Sequence, residues 1–352
     1  MPLLKSILIA LVCTVALAMS GSALWLWQGL QTLDAPVSLD EPVLFDVPQG
    51  AAFSQIARKL ERLGLIERSL WLRIHGRLFP AQTRIKAGEY EFTDGMTTSD
   101  MLSAMLEGDT KSWSMQFIEG WTFKEVRAAL AASDRLEHVT TNWSDEQIME
   151  ALGAAGEHPE GRFFPDTYLF SSRDSDLDLL RRAFETMNEV LAEEWEQREA
   201  DLPYDSPYEA LIMASIVERE TGVPRERGQI AGVFVRRLQK GMRLQTDPTV
   251  IYGMGDNYNG RIRSRDLRRY TPYNTYRIDG LPPTPIAMPG REAIHAALHP
   301  ENGGSLYFVA RGDGTHKFSA SLAEHQRAVR QYQLNRRADY RSSPSPQQSG
   351  TQ

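Results

Sequence analysis

Apolar and polar positions along the chain change rhythm several times, and each rhythm predicts a different kind of element. Ser6 to Gln31 carries no charge and is mostly Leu, Ile, Val and Ala. That is long enough for a helix to span about 30 Å of hydrocarbon. A unit then recurs. Phe45-Asp-Val-Pro-Gln-Gly50 leads to Phe53 and Ile56, Tyr90-Glu-Phe-Thr-Asp-Gly95 to Thr98 and Met101, and Gln116-Phe-Ile-Glu-Gly120 to Phe123 and Val126. Each copy predicts a strand, a turn glycine, and a helix whose first core residue falls six after the glycine. Thr97 and Thr122 stand where helix N-caps belong. The first copy continues as a helical face (Phe53, Ile56, Ala57, Leu60, Leu63). A second helix follows from Ser69 through Leu70, Ile74 and Leu78, then a strand from Ile85 to Phe92.

From Asp134 to Asp201 the pattern is helical and acidic, with Leu177, Leu180, Phe184, Met187 and Leu191 on one face. Within it, Gly161 to Tyr168 is read as an aromatic loop, either core or the wall of a sugar-binding cleft. Pro207 to Thr221, PYEALIMASIVERET, is a helix with defined ends: Ser206 and Glu209 in capping-box relation, Pro207 at its first position, Gly222 and Pro224 beyond. Apolar residues cover almost every direction around its axis, so it is expected to be buried. A second helix runs from about Pro224 to Lys240 and is closed by Gly241. In Leu244 to Tyr252, Asp247-Pro248 fits an N-cap and first turn, while Gln245, Thr246, Asp247 and Thr249 also suit a substrate-facing loop. Tyr273 to Tyr276 and Gly280 to Ile286 read as rigid and non-helical. A short helix (Arg291 to Leu298), a strand (Leu306 to Ala310), a turn into His316 and a closing helix (Leu322 to Tyr332) follow.

The carboxylates of the buried helix carry the candidate chemistry. At 100° per residue Glu218 lies over Leu211, Ala214 and Ser215, whereas Glu220 projects from the opposite side. A carboxylate on a packed helix must be paired, hydrogen-bonded or kept protonated. The first case is a structural ion pair; the last gives the raised pKa that a general acid needs near neutral pH. Both readings are open from the helix alone. Composition narrows the rest. A net charge of −7 argues against a general nucleic-acid binder. The single cysteine, Cys13, excludes an internal disulfide framework. Lys5 before the apolar run and Asp34, Asp40 and Glu41 after it orient the chain with its N-terminus in the cytoplasm. A cleaved signal ending near Ala23 is the rival reading to a retained anchor; Trp25 and Trp27 suit an interface belt. Neither a metal site nor a cofactor is suggested; His316, on the hairpin, is the histidine best placed to take part, though a lone histidine is more often structural.

Taken in order, EGWTF, FFPDTY, ASIVERE, LQTDPTVIYG, YNTY, GLPPTPIAMPG and LYFVA resemble the endolytic murein transglycosylases, the MltG or YceG-like family, from about Val43 to Tyr332. Strand–helix–helix–strand between about Val43 and Phe92 also resembles a LysM-type glycan-binding module, with a generic α+β subdomain as the alternative. The resemblance implies a single-pass inner-membrane α+β protein: anchor over 1–33, LysM-like subdomain over 43–112 and periplasmic catalytic domain over 113–335; composition, SSPSPQQSGTQ from Ser342, makes the tail over 336–352 disordered. It implies cleavage of MurNAc-β-1,4-GlcNAc bonds within nascent peptidoglycan, leaving 1,6-anhydro-MurNAc ends, with Glu218 as acid and then base. Glycan contacts are expected from Gln245, Thr246, Asp247, Thr249, Tyr252, Tyr273, Asn274 and Thr275. Peptidoglycan synthases, penicillin-binding proteins among them, are the candidate partners. The alternatives are a non-catalytic peptidoglycan-binding scaffold and a muramidase pairing Glu218 with Asp247.

Overall fold

The structure, a computed structural model describing residues 2–334, is a mixed α+β fold whose internal contacts divide it into two units, Met1–Trp113 and Ser114–Gln352. The tail expected over 336–352 lies outside the described residues. The first unit contains α1 (Pro2–Gln31), β1 (Val43–Val47), α2 (Phe53–Arg62), α3 (Ser69–Leu78), β2 (Gly88–Phe92) and α4 (Thr98–Glu107). β1 and β2 pair antiparallel, Val43 opposite Phe92 and Val47 opposite Gly88. The strand–helix–helix–strand order is therefore present over 43–92. Its core is aromatic: Phe45, Tyr90 and Phe92 are fully buried, with the Phe45 and Phe92 rings 5.5 Å apart, beside Leu60, Leu72 and Met101. Ile7–Asp34 is long and apolar enough to cross a membrane. The far end of α1 is not free. Leu26 and Leu30 pack on the core, Leu33 is buried in it, and the Trp25 ring meets Trp71 edge-on at 4.6 Å. Trp25 thus has a partner within the protein, whereas Trp27 remains exposed.

The recurring glycine unit is visible in all three copies. Gly50, Gly95 and Gly120 have φ of 75°, 82° and 79°, the left-handed region that turns a strand abruptly into a helix. α2 and α4 then begin at Phe53 and Thr98, and α5 (Phe123–Ala131) at Phe123. Ile56, Met101 and Val126 are buried at the predicted spacing. Thr97 and Thr122 accept from the N–H groups of Asp100 and Glu125, whose carboxylates accept in return from the threonine N–H. The first copy has Ala52 at this position, so only the return bond, from its N–H to Gln55, is made.

The second unit holds β3 (Trp113–Gln116), which begins at the division, then α5, α6 (Asp145–Ala151), β4 (Thr167–Phe170), α7 (Asp176–Glu196) and α8 (Pro207–Glu220). After these come α9 (Pro224–Gln239), α10 (Asp247–Met254), α11 (Ser264–Arg268), α12 (Arg291–Leu298), β5 (Tyr307–Ala310), β6 (His316–Ser319) and α13 (Leu322–Val329). β3 pairs with β4, and β5 with β6 as a hairpin. Ala210 through Val217 of α8 are all buried, enclosed by α7, α9, α10 and α12.

Several expectations shift. Ser206 accepts from Glu209 N–H, but the Glu209 carboxylate accepts from Asp205 N–H instead of from Ser206 N–H. Asp247 is not an N-cap. Thr246 occupies that position without a side-chain bond, Asp247 and Pro248 are already helical, and Tyr276 OH donates to the Asp247 carboxylate at 2.7 Å. The aromatic loop is core rather than cleft wall: Phe163 is fully buried and stacks on Phe123 at 4.9 Å, and Tyr168 lies in β4 with its OH bonded to Phe164 O.

A Cβ at Gly95 meets no atom, so Gly95→Ala isolates backbone strain. The expected cost is about 1–2 kcal/mol, read by urea unfolding of the full chain in detergent. An unchanged midpoint would contradict the left-handed turn.

Candidate active site

α8 ends as it leaves the core, and its last residues reach different neighbours. Glu218 follows Val217 and keeps only 7% of its side-chain surface. Its Oε2 accepts from Gly290 N–H at 3.1 Å, and its Oε1 lies 3.8 Å from Arg227 Nη2 on α9, beyond hydrogen-bond reach. Arg227 is committed elsewhere, in a close pair with Glu292, and its Nη2 is also 3.7 Å from Glu119. Glu218 is therefore not locked into a private ion pair. Burial raises its pKa above the ordinary carboxylate value, and Glu119 and Glu292 push the same way; the Gly290 N–H and Arg227 oppose them. The walls are close backbone. Gly120 lies beside the Glu218 stem, its carbonyl accepts from Arg219, and a Cβ on Gly290 would collide with the Glu119 carboxylate. Gly120 N–H donates to Met288 O and Met288 N–H to Trp121 O, which clamps the two segments together.

Glu220 looks the other way, as its helical position requires. Its carboxyl accepts from Thr246 Oγ1 in a close contact. Although the residue retains some exposure, its carboxyl is enclosed, and burial raises its pKa to about 7, with Asp247 adding to the rise. Around it the sequence-predicted polar residues fold onto one another. Thr246 N–H donates to Thr275 Oγ1 at 3.0 Å, and the Thr249 and Thr275 hydroxyls lie 2.8 Å apart. Thr246, Thr249, Asn274 and Thr275 are buried, whereas Gln245 and Asp247 are exposed and Tyr252 and Tyr273 half-buried. Gln245 sits at φ 53°, unusual for a residue with a side chain, and its Oε1 accepts from Arg237. No hydrogen bond joins any of these residues to Glu218 among those described. Thr246, Thr249 and Thr275 gather beside Glu220, whereas Asn274 holds the 266–269 turn and Tyr273 bonds Thr284 and packs its ring on Tyr252.

A third carboxyl was not anticipated. Glu160, 4% exposed, accepts from Phe123 N–H at 3.0 Å and from Tyr252 OH at 3.0 Å. Burial raises its pKa to about 7. It lines a pocket of about 490 Å³ with Lys124, Arg127, His158 and Tyr252. The only local sequence signal was a glutamate before a turn glycine, Glu160-Gly161, just ahead of Phe163-Phe164; the residue that bonds it, Tyr252, is far away in the chain. Glu119, Arg227 and Gly290 were likewise missed, because only folding brings them to Glu218. His316 is structural: its N–H and ring both bond Glu226 of α9.

A model of the YceG-like family matches residues 45–331. The chain is 31% identical over 322 residues to an endolytic murein transglycosylase of Bacillus subtilis, covering 86% of this chain and 88% of the relative. It is 26% identical to an endolytic murein transglycosylase of Streptococcus pneumoniae, covering 82% of this chain but 58% of that longer protein. A crystal structure of a YceG-like protein from Listeria monocytogenes aligns with a TM-score of 0.52 at 30% identity, over 82% of this chain and 99% of that one.

Glu160 and Glu220 have folded pKa values near 7 against an ordinary 4.5. Between those values the folded state holds protons that the unfolded state releases, so stability is full at low pH and falls as pH rises toward 7. Each group is expected to contribute on the order of 1–3 kcal/mol to that fall. Glu160→Gln and Glu220→Gln should each flatten urea-unfolding stability plotted from pH 4.5 to 7.5; an unaltered slope would count against the buried, protonated carboxyl.

Proposed function

The chain belongs to the YceG-like family, and on that premise we propose that it is an endolytic murein transglycosylase whose single working carboxyl is Glu218. The observation that carries this reading is a shielded glutamate at the end of a buried helix, its pKa raised, with one oxygen held by Gly290 N–H and no dedicated cation. Such a group stays protonated to higher pH than a free carboxyl and can hand its proton to the glycosidic oxygen of the leaving GlcNAc. The C6 hydroxyl of the MurNAc residue then attacks the anomeric carbon, and the Glu218 carboxylate takes the hydroxyl proton. The attack is intramolecular, which favours it through proximity, and it closes the 1,6-anhydro ring without a catalytic water.

Gln245, Asp247, Tyr252 and Tyr273, which keep exposure, are the residues we assign to glycan contact. Thr246, Thr249, Asn274 and Thr275 hold those loops in shape. The strand–helix–helix–strand segment over 43–92 is assigned a LysM-like grip on the same polymer, and α1 the anchoring of the chain in the inner membrane with the remainder in the periplasm.

One observation favours a second reading. Glu119 and Glu218 approach the same Arg227 Nη2, at 3.7 and 3.8 Å, so their carboxyls are no farther apart than those of two-carboxylate glycosidases, about 5–9.5 Å. A hydrolase built on that pair would leave reducing MurNAc ends. Asp247, the partner weighed from sequence, is bonded instead to Tyr276.

Glu218→Gln is expected to abolish anhydro-ended products in mass spectrometry of digested sacculi, while circular dichroism stays unchanged. Wild-type product release by this variant, or reducing ends from the wild type, would sink the single-acid mechanism. Because the acid must be protonated, kcat/KM should also fall as pH rises through the elevated Glu218 pKa, with the alkaline limb lying above the ordinary carboxylate range. A rate still climbing past pH 8 would identify a different acid.

A further inference from the structure

Residues 261–269 set five arginines, Arg261, Arg263, Arg265, Arg268 and Arg269, against the single acid Asp266, in a chain whose net charge is −7. Arg261, Arg263, Arg265 and Arg269 line one pocket of about 440 Å³ with Asn257, Asn259, Met254 and Asp266 itself. Asp266 does not neutralise them. Its carboxylate accepts the Arg263 backbone N–H at 2.8 Å, and Arg265 Nε is 3.6 Å away. Among the described residues, the guanidiniums of Arg261, Arg263, Arg268 and Arg269 have no hydrogen-bonding or ion-pair partner. Other arginines of this unit are either paired, as Arg227 is with Glu292, Arg243 with Asp279 and Arg291 with Glu193 and Glu194, or unpaired among the described residues, as Arg225 and Arg277 are; what sets 261–269 apart is the gathering of four unpaired guanidiniums within nine residues.

The pocket is built rather than loose. The side-chain amide of Asn274, 1% exposed, donates to the carbonyls of Asp266 at 3.1 Å, Leu267 at 3.2 Å and Arg269 at 2.6 Å. The adjacent Thr275 is bonded to Thr246. The arginine turn is therefore clamped to the loops assigned to glycan contact. Gathering unpaired guanidiniums works against mutual repulsion, and a neutral sugar gives no return for it. A carboxylate or phosphate does, through bidentate charge-assisted bonds.

We propose that this pocket binds an oxyanion carried on the wall polymer, a stem-peptide carboxylate or a phosphate, and so selects which strands reach the cleft. The inference rests on the peptidoglycan reading above. Its test is a binding measurement that needs no turnover, so a wild type that binds strands but cleaves none would count against the proposed chemistry alone.

Full-length protein in detergent, wild type and Arg261→Gln/Arg263→Gln/Arg265→Gln, is titrated with soluble uncrosslinked strands that retain their peptides. The variant should bind about tenfold more weakly, the scale of one or two lost charge-assisted bonds, and the difference should shrink at high salt. If stripping the peptides with an amidase removes the difference, the ligand is a carboxylate. If the difference survives stripping but is lost once hydrofluoric acid has removed phosphodiester-linked groups, the ligand is a phosphate; competing inorganic pyrophosphate should weaken binding in either case. Equal binding by wild type and variant overturns the proposal, as does a difference that neither stripping, hydrofluoric acid, salt nor pyrophosphate alters. Should the triple variant fail to fold, the exposed single replacements Arg261→Gln and Arg269→Gln, each expected to weaken binding two- to threefold, decide it in the same way.

Discussion

A helix with apolar residues on every side has to be surrounded, and in this protein that requirement organises the larger unit. Ala210 to Val217 of α8 leave no face for solvent, so α7, α9, α10 and α12 close around it. The one hydroxyl in that run, Ser215, bonds Ile212 O and Ile286 N–H, which draws the proline-rich loop onto the helix as well. The charged residues can appear only where the enclosure ends. There Glu218 meets Gly290 and Arg227, Arg219 meets the Gly120 carbonyl, and Glu220 meets Thr246. The negative end of the helix dipole disfavours carboxylate charge at that position. Burial and dipole act in the same direction, and the proton is held longer than in water.

The recurring strand–glycine–helix turn shows how one local device is put to different uses. At Gly50 and Gly95 it starts a helix whose sixth residue after the glycine enters a core. At Gly120 it does that too, and also presents its carbonyl to Arg219, while the N–H of Phe123 three residues on goes to Glu160. Two buried carboxyls, Glu218 and Glu160, thus border opposite ends of one short turn. A Cβ at Gly120 would meet Arg219 and Glu218 only at ordinary contact distance, so it is the left-handed backbone, not crowding, that calls for glycine there.

What could be read in advance was local. Thr97 and Thr122 as caps, Gly241 as a helix stop, α12 and the β5–β6 hairpin all follow from spacing and turn chemistry within a few residues. Glu218 and Glu220 facing apart follows from helical geometry alone. The failures needed distant partners. Asp247 became a helical residue bonded to Tyr276 because the fold brings the YNTY segment to it. The core reading of the Gly161–Tyr168 stretch, by contrast, holds, with Phe163 stacked on Phe123; what was not foreseen is that Thr167 and Tyr168 begin a strand. Glu160, Glu119 and Arg227 carried no periodic signal; each acquires its role from a residue far off in the sequence.

The seam between α1 and the first unit bears on reach. Leu26, Leu30 and Leu33 belong to the same core as Phe45 and Tyr90, and Trp25 is already braced on Trp71. The free length of α1 from Ile7 to Leu24 is about that of a bilayer's hydrocarbon, roughly 27 Å. If α1 is the anchor proposed above, the first unit stands on a post instead of swinging on a leash, and side-chain packing at this seam sets its height above the lipid.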